Sequence, residues 1–438
     1  MKKSKLTLGV AVLVLTPICI MLYAFTFKPT VDKPGTTEEN KTCVFNTLFG
    51  LQPVDSFFIY KTPENVASSI ESAMIWMAKA QQDDGGWGAG SHSAQHIRDP
   101  HAIKSDPATT AMVSMALLRN GSTPYSGPYK TQLNKGLEFI LKAIEDTPDE
   151  QITITKLQGT QIQTKLGYNI DAVLASQFLS NVLECMETET DDYLRVKKNL
   201  NTCVTKILQS QDADGSIKGS GWAGVLQSSL ANNALESAYY NGADVDKKAL
   251  ERSVEYQKSN YNASSGKVNT DKGAGIVLYS VSGSARASAV DAREAEEKIA
   301  QAKKEGKLNA NDKVTVDNLE KIGYTRDQAV KINTSYEVFN SAKALAQSDE
   351  VTIGFGNNGG EEFLSFLQTG ESMIIGGDRD WTKWYDNTSG KLLVAQNPDG
   401  SWSGHHCITS PVFCTATCLL ILSVNNDAEK LAQTGKKK

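Results

Sequence analysis

One seven-residue frame recurs three times in this chain with identical internal spacing. Gln81-Gln82-Asp83-Asp84-Gly85-Gly86-Trp87 is the first copy, and Gln211-Asp212-Ala213-Asp214-Gly215-Ser216-Ile217 the second. Gln396-Asn397-Pro398-Asp399-Gly400-Ser401-Trp402 is the third. The shared frame is Gln, two residues, Asp, Gly, a small residue, then Trp or Ile. A degenerate fourth copy begins at Gln257 and runs through Ser265-Gly266-Lys267-Val268. Such self-similarity marks folds in which each unit buries its apolar face against the next. The 438 residues, long for a single ordinary domain, then fit into one body.

Before each copy, apolar residues recur at three- and four-residue intervals over residues 66–80, 193–208 and 384–395, which predicts an amphipathic helix. After each copy comes a second helix, richer in small residues. The first opens at Asp106-Pro107 and runs to Asn120-Gly121, the next covers residues 226–240 before Asn241-Gly242, and the last covers residues 410–423. The Asp-Gly step ends the leading helix, because glycine accepts the left-handed backbone that a helix end requires. The Asp-Pro and Ser-Pro pairs suit the first turn of the following one. The expected object is a stack of helical hairpins, small-residue helices inside and amphipathic helices outside. Gln81, Asp84, Gly85 and Trp87, with Gln211, Asp214, Gly215, Gln396, Asp399, Gly400 and Trp402, are expected to staple neighbouring hairpins, a structural role and not a catalytic one.

A Gln-x-x-Asp-Gly-Ser-Trp frame followed by a helix rich in Thr and Ala resembles the repeat of squalene and oxidosqualene cyclases and of protein prenyltransferase β-subunits. The resemblance implies an all-α (α/α)6 toroid over residues 56–425 and a cavity suited to isoprenoids, but a fold does not carry a reaction with it. The catalytic strings of those enzymes are missing. There is no Asp-x-Asp-Asp acid cluster; the nearest strings are Asp212-Ala213-Asp214, Asp244-Val245-Asp246 and Asp378-Arg379-Asp380. There is no Asp-Asp-x-x-Asp for magnesium-diphosphate chemistry and no Asp-x-Cys zinc pair. If the late inner helix is matched to the prenyltransferases, Cys414 falls where their zinc-binding His stands. Gly-x-Ser-x-Gly and Cys-Gly-Glu-Gln are also absent, and Gly354-Phe355-Gly356-Asn357-Asn358-Gly359-Gly360 reads as a loop leading into a helix start at Glu361-Glu362. Residues 287–331 depart from the repeat: their charged run, with Glu294 and Lys298 four apart, reads as a solvated helix inserted in the toroid.

The ends of the chain have a different character. Lys2, Lys3 and Lys5 precede residues 6–27, which carry no charge and are long enough to span a bilayer as a helix. The lysines favour a cytoplasmic N-terminus, so the expected arrangement is a single-pass anchor with the body outside the cytoplasm; a cleaved signal segment and secreted body is the alternative. Residues 28–55 read as a linker and 426–438, ending in three lysines, as a basic tail. A net charge of −5 without a clustered basic surface excludes nucleic acid as a partner. Six cysteines follow the anchor, and Cys185 and Cys203, flanking a predicted helix-turn-helix, are the expected disulfide pair in an oxidising compartment.

All five histidines fall in two turns. His92, His96 and His101 follow the first copy, while His405 and His406 follow the last, with Cys407 beside them. In a closed ring the first and last hairpins are neighbours, so these side chains are candidate zinc ligands, with Cys414 as a further thiol. Arg98, Asp99, Asp106, Glu361 and Glu362 are the candidate polar lining of the ring mouth. Three readings stay open at this stage. The first is a membrane-anchored binding or structural module for a protein, glycan or lipid. The second is a zinc-dependent enzyme built at the junction of first and last repeats, and the third is an isoprenoid-handling protein, against which the low aromatic content of 8% counts mildly.

Overall fold

The computed structural model describes residues 60–219 and 221–435, so the apolar run 6–27, the linker to residue 55 and Cys43 lie outside the described residues. Helices dominate. Six form an outer layer: α1 (Glu64–Lys79), α3 (Lys130–Glu145), α5 (Asp191–Gln209), α7 (Lys247–Ser259), α9 (Arg326–Ala346) and α11 (Trp381–Ala395). Six alternate with them along the chain: α2 (Pro107–Arg119), α4 (Ile170–Leu183), α6 (Gly224–Tyr240), α8 (Val277–Lys304), α10 (Glu362–Ile375) and α12 (Pro411–Leu422). The even-numbered helices pack in the cyclic order α2–α4–α6–α8–α10–α12, and α12 returns to α2. Six hairpins therefore close an (α/α)6 ring. The even helices are apolar or small all round: every residue of α2 and α12 is buried. The odd helices are amphipathic; α3 buries Leu133, Leu137, Ile140, Leu141 and Ile144 on one face only.

The recurring frame makes the same bonds in each copy. Gln81 Nε2 donates to the Gly85 carbonyl (2.8 Å) and across to Gln132 O on the next outer helix (2.9 Å). Gln211 Nε2 does the same to Gly215 O and, at 2.9 Å, to Ala249 O. Gln396 Nε2 reaches Gly400 O (2.9 Å) and Ser69 O of α1 (3.1 Å), so the third staple closes the ring on its own first helix. Trp76 Nε1 of α1 donates to Asp399 at 3.0 Å over the same seam. The Asp of each frame accepts the amide two residues on, from Gly86, Ser216 and Ser401. The final residue is pinned to the inner helix: the Trp87, Ile217 and Trp402 amides donate to Thr110, Ser228 and Thr415 hydroxyls. Trp87 and Trp402 are fully buried, and each ring nitrogen donates back to a carbonyl ten residues earlier. Burial of an indole of this size stabilises by roughly 4–6 kcal/mol.

The frame glycines are required twice over. Gly85, Gly215 and Gly400 have φ of +87°, +91° and +93°, and a Cβ there would lie 2.9, 2.1 and 2.9 Å from a carbonyl oxygen of the next outer helix. The degenerate copy at Gln257 behaves differently. Its amide makes no staple, and a two-stranded hairpin follows, Tyr261–Asn262 (β1) against Lys267–Val268 (β2).

Three expectations need correction. The charged run in residues 287–331 is not a separate solvated helix. Its first part continues inner helix α8, which at 28 residues is about 42 Å long against about 26 Å for α6. The overhang folds against the start of α9 around its own apolar cluster, including Ile299, Leu308, Val314 and Leu319. Ala295, Ile299 and Ala302, spaced four and three residues apart on the charged run, supply that buried face. Residues 426–435 are not a free tail either: the helix Ala428–Gln433 packs against α10, with Lys430 paired to Glu184 of α4's end at 3.1 Å. Cys185 and Cys203 form no disulfide. Cys203 is sealed inside the ring wall, whereas Cys185 sits past the end of α4 beside the central cavity. Among the described residues no helix is long and apolar enough to cross a membrane.

Candidate functional site

Ring closure brings the first and last turns together at the mouth formed by the N-terminal ends of the inner helices. Arg98 Nη1 donates to Ser403 Oγ at 2.9 Å, and Thr409 Oγ1 donates to Gln95 O at 2.7 Å. Four of the five histidines in these turns make local contacts. His101 Nε2 donates to the Lys79 carbonyl at the end of α1 (3.0 Å), and Gln95 Nε2 donates to His92 Nδ1 (2.7 Å). His405 and His406 face each other, Nδ1 to Nδ1, at 3.3 Å. Burial, then the charge of Lys165, holds His92 below the ordinary imidazole value; burial, then His405 and Lys165, does the same for His406. Among the described residues no three His, Cys, Asp or Glu side chains converge as a metal-binding group. The zinc set of His92, His96, His101, His405, His406, Cys407 and Cys414 is therefore not assembled. Cys414 is fully buried with its thiol directed at the Ile408 carbonyl (3.6 Å), and burial pushes it up to about 12.

The proposed polar lining resolves into parts with separate roles. Asp99 caps a short turn by accepting the His101 amide at 3.0 Å. Asp106 is the fully buried N-cap of α2: it accepts the Thr109 amide (2.7 Å) and the Ala89 amide (2.8 Å). Asp171, which the sequence did not single out, lies against it and accepts the Ala108 amide (3.1 Å) and Gln163 Nε2 (2.8 Å). Burial raises both carboxyls, and the charge of Asp106 raises Asp171 further, so the pair favours holding a proton.

Glu361 and Glu362 open α10 and are buried, not solvated. Burial pushes each up to about 7, against amide donors from Ile408 to Glu361 and from Asn358 to Glu362, both at 3.4 Å. Lys165, Tyr279 and Cys407 surround them. Lys165 is buried beneath the ring of exposed Trp222 at 4.3 Å. Tyr279 is raised by burial and then by the two glutamates, and the Cys407 thiol is raised by burial and then by Glu361. Cys407 has φ of +63°, in the left-handed region, and a side chain at Gly359 would run into its Cβ at 2.8 Å. This cluster sits at the mouth, one helical turn along α10 from Leu364, whose amide donates to the Glu361 carbonyl (3.2 Å).

A partly open cavity lies toward the opposite end of the ring. It has a volume of about 510 Å³ and is bounded by the inner helices and covered by the Ala428–Gln433 helix. Met112, Met115, Leu174, Leu230, Leu364 and Leu420 give it an apolar floor. Charged pairs ring the wall: Arg119 Nη2 with Glu371 (2.8 Å), Arg286 Nη2 with Glu236 (2.8 Å), and Lys430 with Glu184. Asp427, at the base of the covering helix, also binds Arg119. Sequence reasoning missed all of these. Arg286 did leave a trace, as the one long charged side chain in the small-residue run Gly283-Ser284-Ala285-Arg286-Ala287-Ser288-Ala289 of an inner helix.

No family model and no curated protein matches this chain. Among solved structures, a type II terpene cyclase from Scytonema, determined with geranylgeranyl dihydroxybenzoate, aligns over 83% of this chain and 98% of that one, with 12% identity and a TM-score of 0.42. A likeness at that level assigns neither reaction nor residues to this chain.

Proposed function

We propose that the ring is a binding module that holds a small molecule in its central cavity. The observation that carries this is the cavity itself: about 510 Å³, apolar at its floor, polar at its wall, and within the range of small-molecule sites. Among the described residues no three His, Cys, Asp or Glu side chains gather as a metal-binding group, so the mouth gives the metal-dependent reading no support. The uncharged run of residues 6–27 supports reading the ring as tethered to a membrane and displayed outside the cytoplasm.

The test is a titration of the full chain with the neutral dye Nile red, beside Leu367→Trp, which places an indole in the cavity. One-site binding that is lost in the variant, with the melting temperature retained, is the expected result. Equal binding by both proteins places the dye elsewhere and sinks the reading.

A further inference from the structure

Resting on that cavity reading, we infer that the ligand is a neutral apolar molecule whose head is a hydrogen-bond acceptor, a hydroxyl or carbonyl oxygen, and not a carboxylate, phosphate or amine. Two independent observations converge on this class.

The first is the charge ledger of the wall. Three cationic side chains, Arg119, Arg286 and Lys430, line the cavity together with five acidic ones, Glu184, Glu236, Glu371, Asp427 and Glu429. Each cation is already matched: Arg119 by Glu371 and Asp427, Arg286 by Glu236, and Lys430 by Glu184. Among the described residues an anionic head therefore meets no lining cation without a carboxylate partner, on a wall where acids already outnumber cations. Removing an ion from water without a partner costs several kcal/mol, so anions are rejected.

The second is the set of donors left over. Arg286 gives Nη2 to Glu236, but its Nε and Nη1, both buried, have no protein acceptor. Gln368, on the adjacent inner helix α10, uses its oxygen to accept the Ser229 hydroxyl, and its buried Nε2 has no protein acceptor. Both residues line the cavity, and so do two buried acceptors with no protein donor, Gln177 Oε1 and Asn233 Oδ1. Buried polar groups are almost always satisfied, so three unmet donor nitrogens beside two unmet acceptors call for a neutral acceptor head, best one that can also donate. An ammonium head leaves all three donor nitrogens unmet, although the acids and the two open acceptors attract it. A ketone or hydroxyl oxygen serves the donors without bringing charge, and a hydroxyl also gives its proton to one of the acceptors, while the apolar floor takes the rest of the molecule.

The test uses one rigid skeleton with four heads: 1-adamantanol, 2-adamantanone, adamantane-1-carboxylate and 1-adamantanamine, titrated calorimetrically into the full chain at neutral pH. The alcohol and ketone are expected to bind at least tenfold more tightly than the acid and the amine. Gln368→Leu should shrink that preference, and so should the paired replacement Arg286→Met with Glu236→Met, which leaves no lone buried charge. Tightest binding by the carboxylate or the amine, or equal binding by all four, overturns the head-group assignment and leaves the cavity reading standing. No binding of any head, together with Nile red binding indifferent to Leu367→Trp, overturns both.

Discussion

Replacing Gln396 with Ala tests whether the ring is closed in solution. Gln396 lies 327 residues from Ser69, yet it donates Nε2 to the Ser69 carbonyl at 3.1 Å and accepts the Ser69 hydroxyl at 2.8 Å, besides bonding Gly400 O at 2.9 Å. Each such bond contributes about 1 kcal/mol net, and a part-buried carbonyl left without a donor costs somewhat more. Loss of three bonds and exposure of two carbonyls gives a penalty of roughly 3 kcal/mol, or about a hundredfold in a local opening equilibrium. Gln81→Ala at an interior junction removes two bonds of the same kind and is predicted to cost roughly 2 kcal/mol. Amide hydrogen exchange resolves the site of the damage. The Gln396→Ala loss should fall on α1 and α11, which are the far ends of the described chain but neighbours across the seam. An open solenoid would have frayed ends there already. Unchanged protection of α1 in Gln396→Ala, beside a clear loss in Gln81→Ala, would refute ring closure.

Three further outcomes follow from the geometry. Gly215→Ala forces a Cβ to within 2.1 Å of the Arg252 carbonyl oxygen at φ +91°, so a loss of more than about 3 kcal/mol or failure to fold is expected; Gly266→Ala, at φ +68° with open space around it, should cost about 1 kcal/mol in denaturant melts. Glu361 and Glu362 are pushed from 4.5 up to about 7 by burial; below pH ~4.5 both states hold the proton, and between ~4.5 and ~7 only the unfolded state releases it, so stability falls as pH rises through this window. The limit is roughly 3 kcal/mol per group, and Glu361→Gln should show a shallower decline of denaturant midpoint from pH 5 to pH 8 than the parent; identical slopes would contradict the assignment. Chelation by EDTA, or joint replacement of His101 and His405 by Ala, should leave the melting temperature within a degree or so, because those side chains make exposed local bonds worth under about 1 kcal/mol; a large drop would restore the metal reading.

What could be read from the chain alone is what local chemistry specifies. The Asp-Gly step ends a helix wherever it stands, the Asp caps its own turn, and the Gln has one carbonyl four residues on within reach, so three turns and the helices beside them were legible. The small-residue helices were legible as inner ones because runs of Ser, Ala, Thr and Gly let neighbouring helices pack closely on every side. The hairpins without the frame, α3–α4 and α9–α10, had no such marker. The length of α8 also stayed hidden, since its charged half reads as solvated until α9 folds back to cover Ile299 and Leu319. The histidines show the limit most clearly. Ring closure did bring their turns together, yet sequence proximity could not say that His101 would spend its ring on the end of α1.

The cavity and its wall were decided by tertiary structure alone. Arg286, Glu236, Gln368 and Lys430 come from three inner helices and the covering segment, residues as far apart as Glu236 and Lys430 in the chain. Helix formation depends on neighbours within about four positions, which sequence displays directly. Whether a buried donor finds an acceptor depends on the partner that ring closure places opposite it, and that is settled only when six helices meet.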